Sequence, residues 1–132
     1  MDPRPLPRPS ALTAPYWEAC QRGELAVQRC HRCRRRVHLP EPACPYCGGT
    51  DLPYEPVSGR GTVHTFSVVH RAFLPGFTTP YVIAWIDLDE GARAFGDIVG
   101  GIPSEDVRIG MPVRVCFDEL PGFGRIPNWR PA

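Results

Sequence analysis

Four cysteines constrain this chain more than anything else in it: Cys30-x2-Cys33 and Cys44-x2-Cys47, with ten residues between the pairs. Each C-x-x-C folds two sulfurs onto one tight turn, and two such knuckles supply the four tetrahedral ligands that zinc prefers. In the second knuckle, Cys44-Pro45-Tyr46-Cys47-Gly48-Gly49, proline stiffens the turn and glycine lets backbone N–H groups approach sulfur. The first, Cys30-His31-Arg32-Cys33-Arg34, lacks that glycine, so Arg34 is expected in an uncomfortable conformation and the turn in a looser form. Disulfides are disfavoured, because nothing marks the chain for export. A thioredoxin-like redox pair would need a single C-x-x-C in a βαβ setting, and that setting is not found. Iron in an all-sulfur site is chemically allowed, but structural zinc is the favoured reading. Four sulfurs leave no open position for water, so such a metal folds the segment rather than catalysing a reaction. Cys20 and Cys116 stand outside the set and read as small buried apolar residues.

The remaining residues favour strands. Among 132 residues are 17 prolines and 13 glycines, too many for a helical bundle, while 42% hydrophobic and 22% charged residues suit a folded protein. Residues 1–14 form a proline-rich lead expected to be extended and flexible. Between Pro15, at a helix start, and Gly23, at a helix stop, Tyr16, Trp17, Ala19 and Cys20 give a short helix one apolar side. Leu25–Arg29 reads as a strand running into Cys30, and Leu52–Ser58, with Pro53 and Pro56, as a connector. Residues 15–58 are thus expected to hold the helix and the metal unit, and residues 59–132 a second domain with an apolar tail.

In that second domain strands are expected over 62–70, 81–88, 92–99 and 113–118, with a short one near Ile126 and one helical turn opening at Pro103. Tyr81–Leu88 is apolar on both faces for most of its length, which predicts a strand covered on both sides. The whole reads as a mainly β protein: a short N-terminal helix, a zinc ribbon and a C-terminal five-stranded OB-fold barrel. No apolar run is long enough to cross a bilayer, and Met1–Pro9 lacks the apolar stretch of a signal peptide. A soluble, cytoplasmic protein without a membrane partner is expected.

Catalytic motifs are hard to find. His64 and His70 are six residues apart and would share one strand face, with Ser67 on the opposite face, so no Ser–His pair forms there. No phosphate loop or nucleophile elbow is present. Two loops are instead apolar where loops are usually polar. The first carries Phe73, Leu74 and Phe77; the second runs from Leu120 through Phe123 to Trp129. They either cap the barrel ends or form a partner surface.

All 15 basic residues are arginine, and a knot of them (Arg29, Arg32, Arg34, Arg35 and Arg36) sits with His31 and His38 around the first knuckle. It reads as a solvated surface, or as an anion site for the phosphates of a cofactor such as coenzyme A or for an acidic partner. Split at Gly59, the halves carry net charges of +2 and −1. Nucleic-acid binding, which an OB module with the arginine knot and Phe66 would otherwise serve, usually needs a clear cationic excess, so that alternative ranks second. A free-standing enzyme such as a small thioesterase finds no residues to support it.

The ordered set Tyr16-Trp17, Gly23-Glu24-Leu25, Gln28-Arg29-Cys30, the four cysteines, Gly59-Arg60-Gly61-Thr62-Val63, Thr65-Phe66, Pro80-Tyr81, Asp89-Glu90-Gly91 and Gly110-Met111-Pro112-Val113 resembles the zinc-ribbon/OB-fold family catalogued as domain of unknown function thirty-five. The match runs over about 100 residues. The resemblance implies a helix, a rubredoxin-like ribbon and an OB barrel. It also implies an accessory role beside thiolase-superfamily enzymes: archaeal thiolase/synthase assemblies, bacterial acyltransferases or aldolases that shorten steroid side chains. Catalysis would then lie in the partner, with structural Zn2+ in this chain and a contribution to acyl-CoA binding. On that reading Phe73, Leu74, Phe77, Phe123, Trp129, Arg34, Arg35 and Arg36 are the candidate partner or acyl-CoA contacts. Arg34 stands where the family commonly has glycine.

Overall fold

The computed structural model describes residues 4–132. Helix α1 spans Ala14–Gln21, with Pro15 in its first turn and Gly23 at φ 75° just beyond its end. So short a helix holds only by docking, and Tyr16, Ala19 and Cys20 are its buried face. Strands β1 (Ala26–Arg29), β2 (Arg36–Val37) and β3 (Tyr54–Pro56) form an antiparallel sheet in the order β2-β1-β3. Tyr54–Pro56, expected as connector, is therefore a strand of the ribbon sheet, in register with Ala26–Gln28.

Strands β4 (Arg60–Val69), β5 (Tyr81–Leu88), β6 (Arg93–Ile98), β7 (Pro112–Leu120) and β8 (Gly124–Pro131) close a barrel in the order β4-β5-β6-β8-β7. A single 3-10 turn at Ser104–Asp106 precedes β7, where the helical turn was expected. The five-stranded OB-fold barrel is thus present, behind one short helix and a four-cysteine ribbon. Val63, Ile86, Val113 and Trp129 are among its most deeply buried side chains. Tyr16, Cys20, Leu25 and Val27 join the same core, so the helix and β1 are fastened to the barrel by apolar packing. Among the described residues no helix is long and apolar enough to cross a membrane.

Four local expectations are corrected. The C-terminal segment is not an apolar loop: Gly124–Pro131 pairs with β7 along its whole length, from Val113↔Pro131 to Leu120↔Gly124. Its prolines are tolerated because the other edge of β8 meets β6 at only one pair, Ile98↔Trp129, so few N–H donors are needed there. Trp129 is consequently a core residue with no exposed surface, and a contact role for it at the molecular surface is withdrawn. Gly96 makes room for it: a Cβ at that position would lie 3.0 Å from the indole ring.

The second correction is a bulge in β4. Val63 pairs with Ile86 and Thr65 with Trp85, leaving His64 as an extra residue. A bulge reverses the alternation beyond it, so Phe66 and Val68 turn to the core and His64 no longer shares a face with position 70. Third, β5 is covered on one side only, since Trp85 remains 36% exposed on the outer face. There it meets Phe95 of β6 edge-to-face, with ring centroids 5.0 Å apart.

Last, the lead makes specific contacts where a flexible segment was expected. Arg4 lies 4.6 Å from the Phe77 ring centroid, and the Leu12 carbonyl accepts a 2.7 Å hydrogen bond from the Tyr54 hydroxyl. Ser10 and Thr13 exchange backbone-to-side-chain hydrogen bonds just ahead of α1. The first three residues of that expected lead lie outside the described residues.

Candidate metal centre and neighbouring surfaces

The two knuckles bring Cys30, Cys33, Cys44 and Cys47 together, with all four sulfurs within 4.8 Å of one another. The Cys30–Cys47 and Cys33–Cys44 sulfur separations are both 3.6 Å. Zinc–sulfur bonds of about 2.3 Å in a tetrahedron would set sulfurs about 3.8 Å apart, so these two pairs already stand near the spacing zinc requires and the donor set fits it. All six cysteines are free of disulfides.

Backbone amides support the sulfurs: Tyr46 N–H points at Cys44 Sγ and Gly49 N–H at Cys47 Sγ, each at 3.4 Å. The backbone amide of Cys33, followed by that of Arg32, holds the Cys30 thiol below the ordinary cysteine range against the opposing effect of desolvation, which favours the thiolate a metal requires. Gly49 completes the cradle, since a Cβ there would lie 3.1 Å from Cys30 Sγ and 3.4 Å from Cys47 Sγ. Zinc bound here would be closed to water and would fix the two turns.

The knuckles are near copies of each other. Gly48 N–H donates to the Cys44 carbonyl at 2.9 Å and Arg34 N–H to the Cys30 carbonyl at 2.8 Å. Their φ values are 78° and 68°, so Arg34 occupies the left-handed conformation that glycine adopts at no cost. A non-glycine residue there costs about 1–2 kcal/mol. Arg34→Gly is accordingly expected to raise thermal stability, by about 3–8 °C for a domain of this size, read from the melting temperature of the zinc-loaded protein. An unchanged or lower midpoint would show that the arginine side chain offsets its backbone strain.

The other candidate residues divide by environment. Phe73, 90% exposed, and Leu74, 57% exposed, lie at the tip of the loop between β4 and β5. Phe77, in the same loop, is half-buried and stacks on Tyr81 with a 5.5 Å centroid separation. Phe123, in the β7–β8 turn, meets Trp17 edge-to-face at 5.3 Å. Cys20 is a core residue whose thiol burial pushes up to about 12. Cys116 is only half-buried, which corrects the expectation for that residue. Arg34 and Arg35 are exposed and Arg36 half-buried.

Two features escaped the sequence reading. The Trp85–Phe95 patch lies on the second and third strands of the barrel, the face OB-folds commonly use for binding. Tyr46, 58% exposed, lies under Arg35, whose guanidinium carbon is 4.8 Å from the ring centroid. Its place inside a C-x-x-C was the available signal, because a knuckle turns its middle residues outward. His64 forms a 3.0 Å contact to Asp87, which also accepts a 2.7 Å hydrogen bond from Arg93.

An N-terminal ribbon with four converging sulfurs, docked on a closed five-stranded barrel, defines a zinc-ribbon/OB-fold protein. Family models agree with that division: residues 17–53 match "ChsH2, rubredoxin-like zinc ribbon domain" and residues 54–118 match "ChsH2, C-terminal OB-fold domain". The chain belongs to this ChsH2-type, or DUF35, family. It is similar to a chain of the solved "Ltp2-ChsH2(DUF35) aldolase", with a TM-score of 0.87 and 35% identity over 96% of this chain and 98% of that one.

It is 38% identical over 133 residues to the "3-oxo-4,17-pregnadiene-20-carboxyl-CoA hydratase alpha subunit" of Mycobacterium tuberculosis. That match covers 99% of this chain but 42% of the relative, so the chain spans about two-fifths of that protein's length. The "Benzoylsuccinyl-CoA thiolase subunit BbsA" of Geobacter metallireducens is 29% identical over 75% of this chain and 72% of its own. These relatives thus include a chain of an aldolase, a hydratase subunit and a thiolase subunit.

Proposed function

We propose that this chain is a noncatalytic cytoplasmic subunit that docks on and stabilises a thiolase-superfamily enzyme acting on an acyl-CoA, with an aldolase of steroid side-chain chemistry as the favoured case. The observation that carries the proposal is the β4–β5 loop, which holds Phe73 and Leu74 in water at 90% and 57% exposure. Large apolar side chains placed together at a loop tip are stabilising only when a partner covers them. The kinship with a subunit of an aldolase and a subunit of a thiolase supports the choice of partner. Six free cysteines suit a reducing compartment. Residues 60–132 carry a net charge of −1, which opposes a nucleic-acid ligand, since phosphates call for a cationic excess.

Phe77 and Phe123 are already half-engaged inside the chain, so they contribute less to docking than Phe73 and Leu74. Arg34, Arg35 and Arg36 would serve an acyl-CoA on the ribbon side.

Truncating Phe73 and Leu74 together to alanine is expected to cut co-purification of the partner by tenfold or more, since buried apolar anchors at interfaces commonly contribute about 1–2 kcal/mol each. Zinc content and melting temperature should stay at their native values. Undiminished co-purification with the double variant would remove the loop from the interface.

A further inference from the structure

The lead ahead of α1 lies against the barrel, and its contacts follow a pattern. In Arg4-Pro5-Leu6-Pro7-Arg8-Pro9, Arg4 and Pro7 are half-buried while Pro5, Leu6, Arg8 and Pro9 are exposed. A spacing of three is one turn of a polyproline II helix, which alternating prolines pre-order at low entropic cost.

Several features of the protein receive this segment. Gly76, at φ 83°, lets the Arg4 backbone come so close that a Cβ there would overlap it. Phe77 presents its ring to the Arg4 guanidinium at 4.6 Å and is itself stacked on Tyr81, with centroids 5.5 Å apart. Farther along, Leu6 reaches the β7–β8 turn, where a Cβ at Gly122 would stand 3.5 Å from its Cδ1. Pro9 then joins Trp17 and Phe123 in lining a groove beside α1.

The surface beside Arg4 is acidic. The Asn128 side chain accepts the Asp97 backbone N–H at 3.3 Å and donates to the Asp118 carboxylate at 2.8 Å, which ties both acidic residues to one side chain. Burial holds the Asp97 carboxyl above its ordinary range and the Asp118 charge adds to that, while the Arg4 charge acts against both. Arg4 Nε is shut off from water without a hydrogen-bond partner. The guanidinium is therefore held by the ring face and by the field of the two carboxylates, and a cation–ring contact gains strength when water is excluded.

We propose that Gly76, Phe77, Asp97 and Asp118 form a receptor site for an arginine–proline segment, and that residues 4–9 of the same chain fill it. The site lies at the β5 end of the β4–β5 loop, so the segment straps down the base of that loop. Arginine suits it better than lysine, because a planar guanidinium stacks on an aromatic face. The strap does not depend on the partner role proposed above.

The test is NMR of the full-length, zinc-loaded chain, followed by titration with an acetylated peptide of the sequence of residues 4–10. Upfield-shifted Arg4 side-chain protons are expected from the Phe77 ring, and they should return to random-coil positions in Phe77→Leu. An Arg4→Ser/Pro7→Ser double variant should vacate the site and keep its zinc. The peptide is then expected to bind that variant saturably and at least tenfold more tightly than the native chain, whose own segment competes at high effective concentration. Adding Asp97→Asn to the double variant should weaken the peptide again. Unshifted Arg4 protons in the native chain, or no peptide binding to the double variant, overturns the proposal. Equal binding of a peptide with serine for both arginines would show that prolines alone are read, and overturns it too. An Arg4 shift that fades on dilution as a dimer dissociates would assign the segment to a second copy of the chain, against the contact in cis.

Discussion

Replacing Cys44 with serine is expected to abolish stoichiometric zinc binding and to unfold the ribbon while the barrel persists. The asymmetry follows from where each unit keeps its apolar contacts. The ribbon's own core consists of Cys30, Val37 and Cys44, with Cys33, Cys47 and Leu52 against them, so four of six members are the metal ligands themselves. Without metal almost no apolar surface remains to hold residues 30–52. Structural zinc sites contribute about 10–16 kcal/mol in apparent terms, comparable with the whole stability of about 5–15 kcal/mol typical of a native domain. The barrel core around Val63, Ile86, Val113 and Trp129 uses none of these ligands. Metal analysis should find less than a stoichiometric amount of zinc, and limited proteolysis should cut first in the arginine-rich stretch 32–36. A variant that kept full zinc and a protected ribbon would contradict the four-sulfur site.

Truncating Trp129 to alanine should be the most damaging change in the barrel. The indole is wholly buried, faces Gly96, and sits on the strand that closes the barrel between β6 and β7. Large aromatic truncations in a packed core cost about 3–5 kcal/mol through lost transfer energy and the cavity left behind. A loss of that size would lower the melting temperature by roughly 10–20 °C in a domain of this length. Trp129→Phe should cost much less, because most of the volume is kept and the indole Nε1, which has no hydrogen-bond partner, gives up no bond. Urea titrations of the two variants separate them. Equal and small losses would place the side chain outside the core.

The four ligands and the helix were legible in the sequence because both are local signals. Ligand spacing in a knuckle is fixed by one turn, and a proline and a glycine bracket the helix. Most of the barrel was legible too, since β4 and β5 are rich in β-branched and apolar residues and β7 alternates through Val113, Val115 and Phe117. Strand β8 was legible only as a short strand near Ile126, because Pro127, Pro131, Gly122 and Gly124 punctuate the segment as loops are punctuated. What permits them is the sparse pairing of its outer edge to β6, a tertiary fact. The bulge at His64 was equally hidden, since one inserted residue shifts the face of every position after it without altering composition.

The candidate surfaces were legible only by type. The apolar loop was visible, but the half-buried positions of Phe77 and Phe123 were not. The arginine knot was visible as charge, whereas its conversion into a cleft depends on Tyr46 and on Glu90–Gly91 from the far side of the domain boundary. Contacts so distant in sequence leave no periodic trace.

In the proposed role zinc braces an adaptor that leaves the chemistry to a thiolase-like partner. Native mass spectrometry of the assembly recovered with the tagged chain from its own host tests this most directly. One zinc per copy of this chain, together with a thiolase-superfamily polypeptide in fixed ratio, is the expected result. A metal-free chain recovered without any such polypeptide would contradict it.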